Sequence, residues 1–300
     1  MKRALRVLVL EGGGIFGAIS AHLLGTLPTT YQNLESVDVV AGCSVGGMLA
    51  CAYAAGQSFG YIDTIFQQRA GECFTKRCMA KVNPLACPTY RNDTIDKVIE
   101  DMIGGTKIGD IKNIYPNLKI AVPALDITND KFIVFNNMSH EYDDVPLKDV
   151  AGYTSCAPTY FAGRDYKGAC IVDGGIIDVT GVLSAVTAIK EHNHIPFCNM
   201  SVLIMGAGDD VDDKPLTTKA YNDLGILGVA TDVLVPYVTL SNKLFTRKLC
   251  EGLGLKYFNY FNPIKTNGKL DEVKQIPDLV SKADKYRDKF KDVWIEWLNA

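Results

Sequence analysis

The chain has 300 residues, of which 47% are hydrophobic and 22% charged, and its formal net charge is −3. This is the composition of a globular protein with enough apolar material for a buried core, and it argues against bulk nucleic-acid binding, which favours a basic stripe. Nine scattered cysteines without zinc-ligand spacing predict reduced thiols in a cytosolic compartment and no bound metal.

The first predicted element is a buried strand at Leu5–Leu10, a short continuous run of apolar residues. Arg6 and Glu11 make this run too short for a signal peptide, and no other segment reaches the apolar length of a membrane span. Glycines then lead into a helix over about residues 16–27. A second buried strand, 37–41, is followed by GCSVGG and a helix of small residues. This repeated order of strand, glycine turn and helix predicts a parallel sheet with right-handed crossovers.

Strand-like and helical runs continue to alternate along the chain. The strand-like runs are LKIAVPALDI, KFIVFNN, ACIVDGG and NMSVLIMGAG, of which the first two are joined by a turn at Asn129 and Asp130. The helical runs are 58–104 with a proline-rich break, 147–157 and GVLSAVTAIKEH. These patterns predict one domain rather than two, because no linker, repeat or low-complexity tract divides them.

The C-terminal part, about residues 217–300, is predicted to be mostly helical. Its last helix, 278–298, has one apolar face, formed by Leu279, Ala283, Tyr286, Phe290, Val293 and Trp297. The stretch 237–261 mixes aromatic and basic residues, and we favour a core helix there over a lipid-facing one. The acidic run at 209–213 lacks the glycine and terminal glutamate of a calcium loop, so we expect a solvated turn.

The glycines of LEGGGIFG have two interpretations. Gly12, Gly14 and Gly17 match the spacing of a dinucleotide-binding turn, but they also suit a loop whose N–H groups bind an oxyanion. A dinucleotide site needs an acidic residue about twenty positions later, at the end of the second strand. Here the second strand ends in Gly42-Cys43-Ser44-Val45-Gly46 instead, so we rank the dinucleotide interpretation last.

Ser44 is the candidate nucleophile. It is the serine of an intact G-x-S-x-G motif between a predicted strand and a predicted helix, which is the context that a strained nucleophile turn requires. Gly42 and Gly46 permit that tight turn. The helix dipole at the start of the following helix favours a developing negative charge beside Ser44.

The candidate base is Asp173 in the sequence IVDGG. It ends a buried strand, so its carboxylate is expected at the same edge of the sheet as Ser44, with Gly174 and Gly175 allowing close approach of the backbone. Partial burial raises the pKa of such a carboxyl group, while N–H donors oppose that rise. The alternative is a Ser-His-Asp triad that uses a histidine of EHNHIP; we expect these histidines to be solvated instead.

An oxyanion hole completes the candidate site. We expect the N–H groups of Gly12, Gly13 and Gly14 to line it and the N–H of Val45 to complete it. Gly17 supports the glycine loop at its helical end.

These motifs resemble the patatin-like phospholipase family. GGGIFG, VAGCSVGG, TSCAPTYF and IVDGG occur in the family's order, and the resemblance covers about residues 5–208. It implies a three-layer α/β/α fold with a mostly parallel central sheet. It also implies a dyad of Ser44 and Asp173, with no metal or organic cofactor. The implied reaction is hydrolysis of fatty-acyl esters in lipids through an acyl-serine intermediate.

Two departures from the family pattern define the main alternative, a catalytically inactive lipid-binding or scaffold protein. Phe16 stands where the family usually has Arg or Lys, and IIDVTGV replaces an Asn-rich stretch after the DGG motif. Asp178 lies in that stretch, but we do not expect it to be catalytic. The partner expected from the resemblance is a membrane lipid or lipid ester. We expect the protein itself to be cytoplasmic and to contact membranes peripherally. The sequence leaves the head group, acyl chain and oligomeric state open.

Overall fold

The computed structural model describes residues 3–78, 87–210, 235–266 and 269–300 of the chain. Parts of three predictions lie outside these residues: the proline-rich break within 58–104, the acidic turn at 209–213, and the first part of the helical stretch from 217 onward. No helix among the described residues is long and apolar enough to cross a bilayer.

Strands and helices alternate through most of the described chain. The strands are β1 (Leu5–Leu10), β2 (Val39–Gly42), β3 (Lys119–Asp126), β4 (Lys131–Asn136), β5 (Arg164–Tyr166), β6 (Ala169–Asp173), β7 (Met200–Met205), β8 (Asp209–Asp210), β9 (Tyr257–Phe261) and β10 (Lys265–Thr266). The α-helices are α1 (Gly17–Gly25), α2 (Val45–Ala54), α3 (Phe59–Cys73), α4 (Asn92–Ile103), α5 (Ile111–Ile114), α6 (Leu147–Thr154), α7 (Gly175–Asp178), α8 (Val182–Ala188), α9 (Val235–Gly252), α10 (Ile276–Asp284) and α11 (Arg287–Asn299).

β1 occupies the centre of the main sheet. It pairs in parallel with β2 on one side and β7 on the other, so that Val7 lies between Val39 and Val202. β9 extends the sheet beyond β7, also in parallel. A strand in this position is covered on both faces, which explains why Val7–Leu10 is a continuous apolar run rather than an alternating one.

Helices cover both faces of this sheet. Leu8 and Leu10 of β1 belong to one core, together with residues of α1, α2 and α11. Val7 and Val9 point the other way into a second core, with residues of α8. Successive side chains of a strand point to opposite faces, so the two cores form because β1 is apolar at every position from Val7 to Leu10. The predicted three-layer α/β/α fold with a mostly parallel sheet is confirmed.

β3 brings two strand ends together on one of its edges. The first part of that edge pairs in parallel with β2, with Ala121 beside Ala41. The later part pairs antiparallel with β6, with Ala124 beside Asp173. β4 pairs with the opposite edge from Ala121 to Asp126. β2 and β6 therefore run towards each other along the same edge, and their carboxyl ends meet beside Pro123, which has no N–H to donate to either strand.

Two expectations for the C-terminal part are corrected. Tyr257–Phe261 is a strand rather than part of a helix, in keeping with the β-propensity of its aromatic side chains. The predicted helix 278–298 is divided into α10 and α11 at Lys285 and Tyr286. The apolar spacing continues across this division because the backbone of Lys285 remains close to helical values, at φ −64° and ψ −18°.

Candidate active site

Ser44 occupies a strained turn between β2 and α2. Its φ of 53° and ψ of −127° lie far from the regions that a residue with a side chain usually adopts. Gly46 makes the turn possible, because a Cβ atom there would lie only 2.0 Å from the carbonyl oxygen of Leu10. A Cβ atom on Gly42 would similarly meet the backbone of Gly46. The geometry is that of the nucleophile turn that the G-x-S-x-G motif predicts.

Thr154, which the sequence analysis did not select, supports this turn from α6. Its buried hydroxyl oxygen accepts a hydrogen bond of 3.0 Å from the backbone N–H of Ser44. The only sequence signal for this role is its position at the start of TSCAPTYF. An N–H at such a turn cannot join a regular helix or strand ladder, so a side-chain acceptor takes that place.

Asp173 lies at the end of β6, where the carboxyl ends of β2 and β6 meet. It is 4% exposed. Its Oδ1 atom accepts hydrogen bonds from the N–H of Gly175 at 2.8 Å and from the Sγ of Cys43 at 3.3 Å. Burial raises the pKa of Asp173 to about 6, and hydrogen bonds from Gly175, Ser44 and Cys43 oppose that rise. The structure therefore brings the Ser44 side chain and a buried, weakly acidic carboxyl group together.

The glycine loop lies directly against Ser44. A Cβ atom on Gly12 would lie 3.1 Å from the Cβ of Ser44 and 2.9 Å from the carbonyl oxygen of Cys43. Only a residue without a side chain permits this approach. Gly17 holds the other end of the loop in the same manner, since a Cβ atom there would meet Val45 at 2.6 Å.

One predicted oxyanion donor is corrected. The N–H of Gly12 donates to the carbonyl oxygen of Val179 at 2.9 Å, so it is already satisfied within the protein. The N–H groups of Gly13, Gly14 and Val45 donate to no acceptor among the described residues. Gly14 has a φ of 56°. The structure thus leaves three of the four predicted donors available beside Ser44.

The segment after Asp173 holds the glycine loop and the Ser44 turn in place. Gly174 packs against Pro123, and Val179 accepts the hydrogen bond from Gly12. The buried carboxylate of Asp178 accepts bonds from the N–H and hydroxyl of Ser184 at 2.8 and 2.7 Å, so it orders the start of α8. Asp178 therefore has a structural role, in agreement with the expectation that it is not catalytic.

The four histidines do not reach Ser44. His192 and His194 are exposed, follow α8 and precede the first residue of β7, so they lie at the opposite end of the parallel strands from Ser44. His22 hydrogen-bonds Asp63 and Asp284, and His140 contacts Asp143. The triad alternative is wrong for this structure, because α8 and the turn after it carry the two candidate histidines away from the strand ends.

An apolar cavity opens beside Ser44. Its volume free of protein atoms, including its mouth, is about 670 Å³. Ser44, Gly14 and Leu270 border it, and the lining farther along α2, α3 and α4 includes Met48, Phe66, Ala70, Val98 and Met102. Phe16 is not part of this lining: it is 5% exposed and packs in the core, as expected for a helix residue.

Glu11, immediately before the glycines, is a buried carboxylate that the sequence analysis did not assign. It accepts hydrogen bonds of 2.7 Å from the N–H of Ala207 and from the hydroxyl of Tyr260. Lys243 of α9 lies 3.3 Å from its Oε2 atom. Burial raises the pKa of Glu11, and the nearby Lys243 opposes that rise. No sequence spacing predicts this network, because its members come from separate elements far apart in the chain.

The candidate site has no metal-ligand cluster. Among the described residues, no group of three or more His, Cys, Asp or Glu side chains is arranged to hold a metal ion. The nine cysteines of the chain are all free thiols. The polar groups around Ser44 are suited to covalent catalysis by a hydroxyl group and a carboxylate.

Comparison with known proteins shows relatives that match over half of the chain or more. The chain is 29% identical over 282 residues to a cGAMP-activated phospholipase of Escherichia coli (strain TW11681), covering 85% of this chain and 77% of that one. It is 27% identical over 184 residues to a cGAMP-activated phospholipase of Vibrio cholerae, covering 54% and 50%. It is 24% identical over 272 residues to patatin-like protein 2 of Arabidopsis thaliana, covering 75% and 65%. The chain thus spans half to about three quarters of these relatives.

Among solved structures, ExoU of Pseudomonas aeruginosa in complex with SpcU aligns at a TM-score of 0.49 and 14% identity, over 100% of this chain and 54% of that chain. Human GIVD cytosolic phospholipase A2 aligns at a TM-score of 0.44 and 10% identity, over 99% and 59%. The assignment of the family rests instead on sequence. The family model for patatin-like phospholipases matches residues 8–186, which is more than half of the chain and includes both Ser44 and Asp173. The chain belongs to the patatin-like phospholipase family.

Proposed function

We propose that this protein hydrolyses fatty-acyl esters of lipids, with Ser44 as nucleophile and Asp173 as the base. Family membership supports a lipid hydrolase. The observation that carries the finer proposal is the position of Asp173: its carboxyl group is buried beside the Ser44 turn, where Cys43 donates to it, and its pKa is raised to about 6. A carboxylate with a pKa near neutrality remains ionised at pH 7 and is a stronger base than an exposed one.

In the proposed first step, Asp173 accepts the proton of the Ser44 hydroxyl as the oxygen attacks the ester carbonyl carbon. The N–H groups of Gly13, Gly14 and Val45 hydrogen-bond the carbonyl oxygen as it becomes an oxyanion. When the tetrahedral intermediate collapses, the carbon–oxygen bond to the leaving alcohol breaks and Asp173 returns the proton to that alcohol. Ser44 then carries the acyl group as an ester.

In the second step, Asp173 accepts a proton from water, and the resulting hydroxide attacks the acyl-serine carbonyl. The fatty acid leaves, and Ser44 recovers its proton from Asp173. The apolar cavity supports a long acyl chain as the group transferred, because its lining farther from Ser44, along α2, α3 and α4, consists mostly of apolar side chains.

The test is covalent labelling with an alkyl fluorophosphonate, followed by intact-protein mass spectrometry. Wild type is expected to gain one phosphonyl group and Ser44→Ala none, and hydrolysis of p-nitrophenyl esters by Ser44→Ala is expected to fall about a thousandfold or more. Because several relatives are named cGAMP-activated phospholipases, both proteins are tested with and without that nucleotide.

Ser155 provides a matched control. This serine also borders the cavity, but its hydroxyl donates to the carbonyl oxygen of Ala151 at 2.6 Å. Ser155→Ala is therefore expected to be labelled as wild type is. Labelling of Ser44→Ala to the same extent as wild type contradicts the proposal. The absence of labelling in every condition also contradicts it and favours the alternative of a non-catalytic lipid-binding protein.

A further inference from the structure

Helix α9 is oriented with polar residues towards the protein and large apolar residues towards the outside. The Lys243 side chain is only 14% exposed and Thr246 is 5% exposed. By contrast, Leu244 and Phe245 are 55% and 64% exposed. A surface helix normally has the reverse arrangement, since burial of apolar side chains is what holds it on a domain.

Specific polar contacts explain this orientation. Lys243 donates to the carbonyl oxygen of Gly208 at 3.0 Å and pairs with the buried Glu11. Thr246 is hydrogen-bonded with Thr180. These contacts fix the rotation of α9 about its axis, so the outward position of its apolar residues is a defined feature of the fold.

Exposed apolar side chains also lie on α7, next to α9. The side chain of Asn242 in α9 donates to the carbonyl oxygen of Ile176 in α7 at 3.3 Å, which joins the two helices. Nine large hydrophobic side chains are exposed in the described part of the chain, and six of them lie on these two helices. This apolar face consists of Ile176, Ile177, Val238, Leu240, Leu244 and Phe245. A concentration of this kind marks a surface that contacts an apolar partner.

The apolar face borders the candidate active site. α7 begins at Gly175, whose N–H donates to Asp173, so Ile176 lies three residues from the proposed base. The cations on α9 suit the surface of a membrane: residues 235–252 contain Lys243, Arg247 and Lys248 but only one acidic residue, and Arg247 and Lys248 are exposed. Exposed cations beside outward apolar residues are typical of helices that lie in the headgroup region of a bilayer.

We propose that the apolar face docks this protein on the surface of a phospholipid bilayer, with Leu244 and Phe245 inserted among the lipid chains and Arg247 and Lys248 at the headgroup phosphates. The choice of a bilayer as partner rests on the proposed lipid hydrolysis, since α7 begins directly after Asp173 and docking there brings the proposed base towards the layer that holds the substrate. The docking itself needs no catalysis and is tested without it.

The experiment measures co-sedimentation with vesicles of phosphatidylcholine and phosphatidylglycerol, using proteins that carry Ser44→Ala so that no lipid is consumed. The variant Leu244→Ser/Phe245→Ser removes two outward apolar side chains. It is expected to bind vesicles at least about tenfold more weakly, because the burial of each such side chain contributes substantially to transfer from water.

A control removes two exposed apolar side chains that lie outside the apolar face. Ile114 and Ile127 are 39% and 50% exposed, and Ile114 precedes β3, at the opposite end of the strands from Ser44. Ile114→Ser/Ile127→Ser is expected to bind vesicles as the parent does. Circular dichroism melting of every variant verifies that each one is folded.

Three outcomes overturn the proposal. In the first, the parent protein does not sediment with vesicles. In the second, the Leu244/Phe245 variant binds as well as the parent. In the third, analytical ultracentrifugation shows a dimer that this variant converts to a monomer, which makes the apolar face a contact between two copies of the chain. Vesicle binding that persists although fluorophosphonate fails to label wild type contradicts the proposed catalysis and leaves the docking intact.

Discussion

Burial and hydrogen bonding change the pKa of Asp173 in opposite directions. The fold removes it from water, which makes its ionised form less stable, yet Gly175 and Cys43 donate to its Oδ1 atom and favour ionisation. Desolvation is the larger effect, so the pKa is raised to about 6. This value is low enough for the carboxylate to be ionised at pH 7 and high enough for it to accept a proton during catalysis.

This raised pKa predicts the acid side of the pH profile. The proposed base must be ionised, so kcat/KM for a soluble ester is expected to fall about tenfold for each pH unit below about 6 and to level off above it. Asp173→Asn cannot accept the proton and is expected to lose most activity at every pH. The measurement is initial rates between about pH 4.5 and 8, with circular dichroism to verify that the protein stays folded. A flat profile across this range is the result that contradicts Asp173 as the base.

At the scale of elements, an ion pair connects α9 to the end of the central strand. Lys243 reaches from α9 to the buried Glu11 at the end of β1, directly before the glycine loop. Glu11 also binds Ala207 after β7 and Tyr260 of β9, so one carboxylate connects three neighbouring strands and a helix. A buried carboxylate is tolerated because all of these donors surround it.

Removal of the cation is expected to destabilise the protein. Lys243→Met leaves Glu11 buried without its ion-pair partner, which costs about 3 kcal/mol in the free energy of unfolding at neutral pH. The pKa of Glu11 rises further in this variant, so the cost is expected to become smaller as the pH falls and Glu11 binds a proton. Urea unfolding at several pH values measures the effect.

Lys243→Arg is the control for that substitution, since it keeps the positive charge on α9. It is expected to be less destabilising than Lys243→Met. Equal unfolding midpoints for wild type and Lys243→Met at neutral pH argue against a stabilising ion pair.

At the scale of the whole molecule, helices α2, α3 and α4 and the segment after α6 enclose the apolar cavity that begins at Ser44. Ala70 of α3 is 5% exposed and lines this cavity opposite residues of α4 such as Val98. Its small side chain leaves space that a larger residue would occupy. The packing of α3 against α4 thus determines how much room an acyl chain has.

Filling this space is expected to change the preferred chain length of the substrate. Ala70→Leu places a larger side chain in the cavity, so kcat/KM for a long-chain p-nitrophenyl ester is expected to fall about tenfold relative to that for a butyryl ester. The short ester is the internal control, because it needs only the part of the cavity beside Ser44. Equal losses for both esters contradict a role of the cavity in binding the acyl chain.

Features specified by nearby residues were predictable from the sequence. The strand, glycine turn and helix around Ser44 depend on a continuous apolar run and on Gly42 and Gly46, whose lack of a side chain the turn requires. The hairpin of β3 and β4 follows from two strand-like runs and the turn at Asn129 and Asp130. The family was also recognisable from short motifs, because each motif encodes a local backbone conformation.

Contacts between distant segments were less predictable. The carboxyl end of β6 was expected at the same edge as Ser44, but β6 reaches it by running antiparallel to β3, which no local pattern specifies. The roles of Thr154 and Glu11 depend on partners far away in the chain. Gly12 was predicted as an oxyanion donor, yet the nearby carbonyl group of Val179 accepts its N–H.

The sequence by itself determined the residue types, the apolar runs and the glycine turns, because these depend on dihedral preferences and on hydrophobic periodicity within a few residues. Only the tertiary structure decided the meeting of β2 and β6 along β3, the donors left free beside Ser44 and the rotation of α9. These features result from pairing and packing between segments far apart in the chain. A local sequence pattern is compatible with many such partners, so the pattern alone does not determine which segments pair.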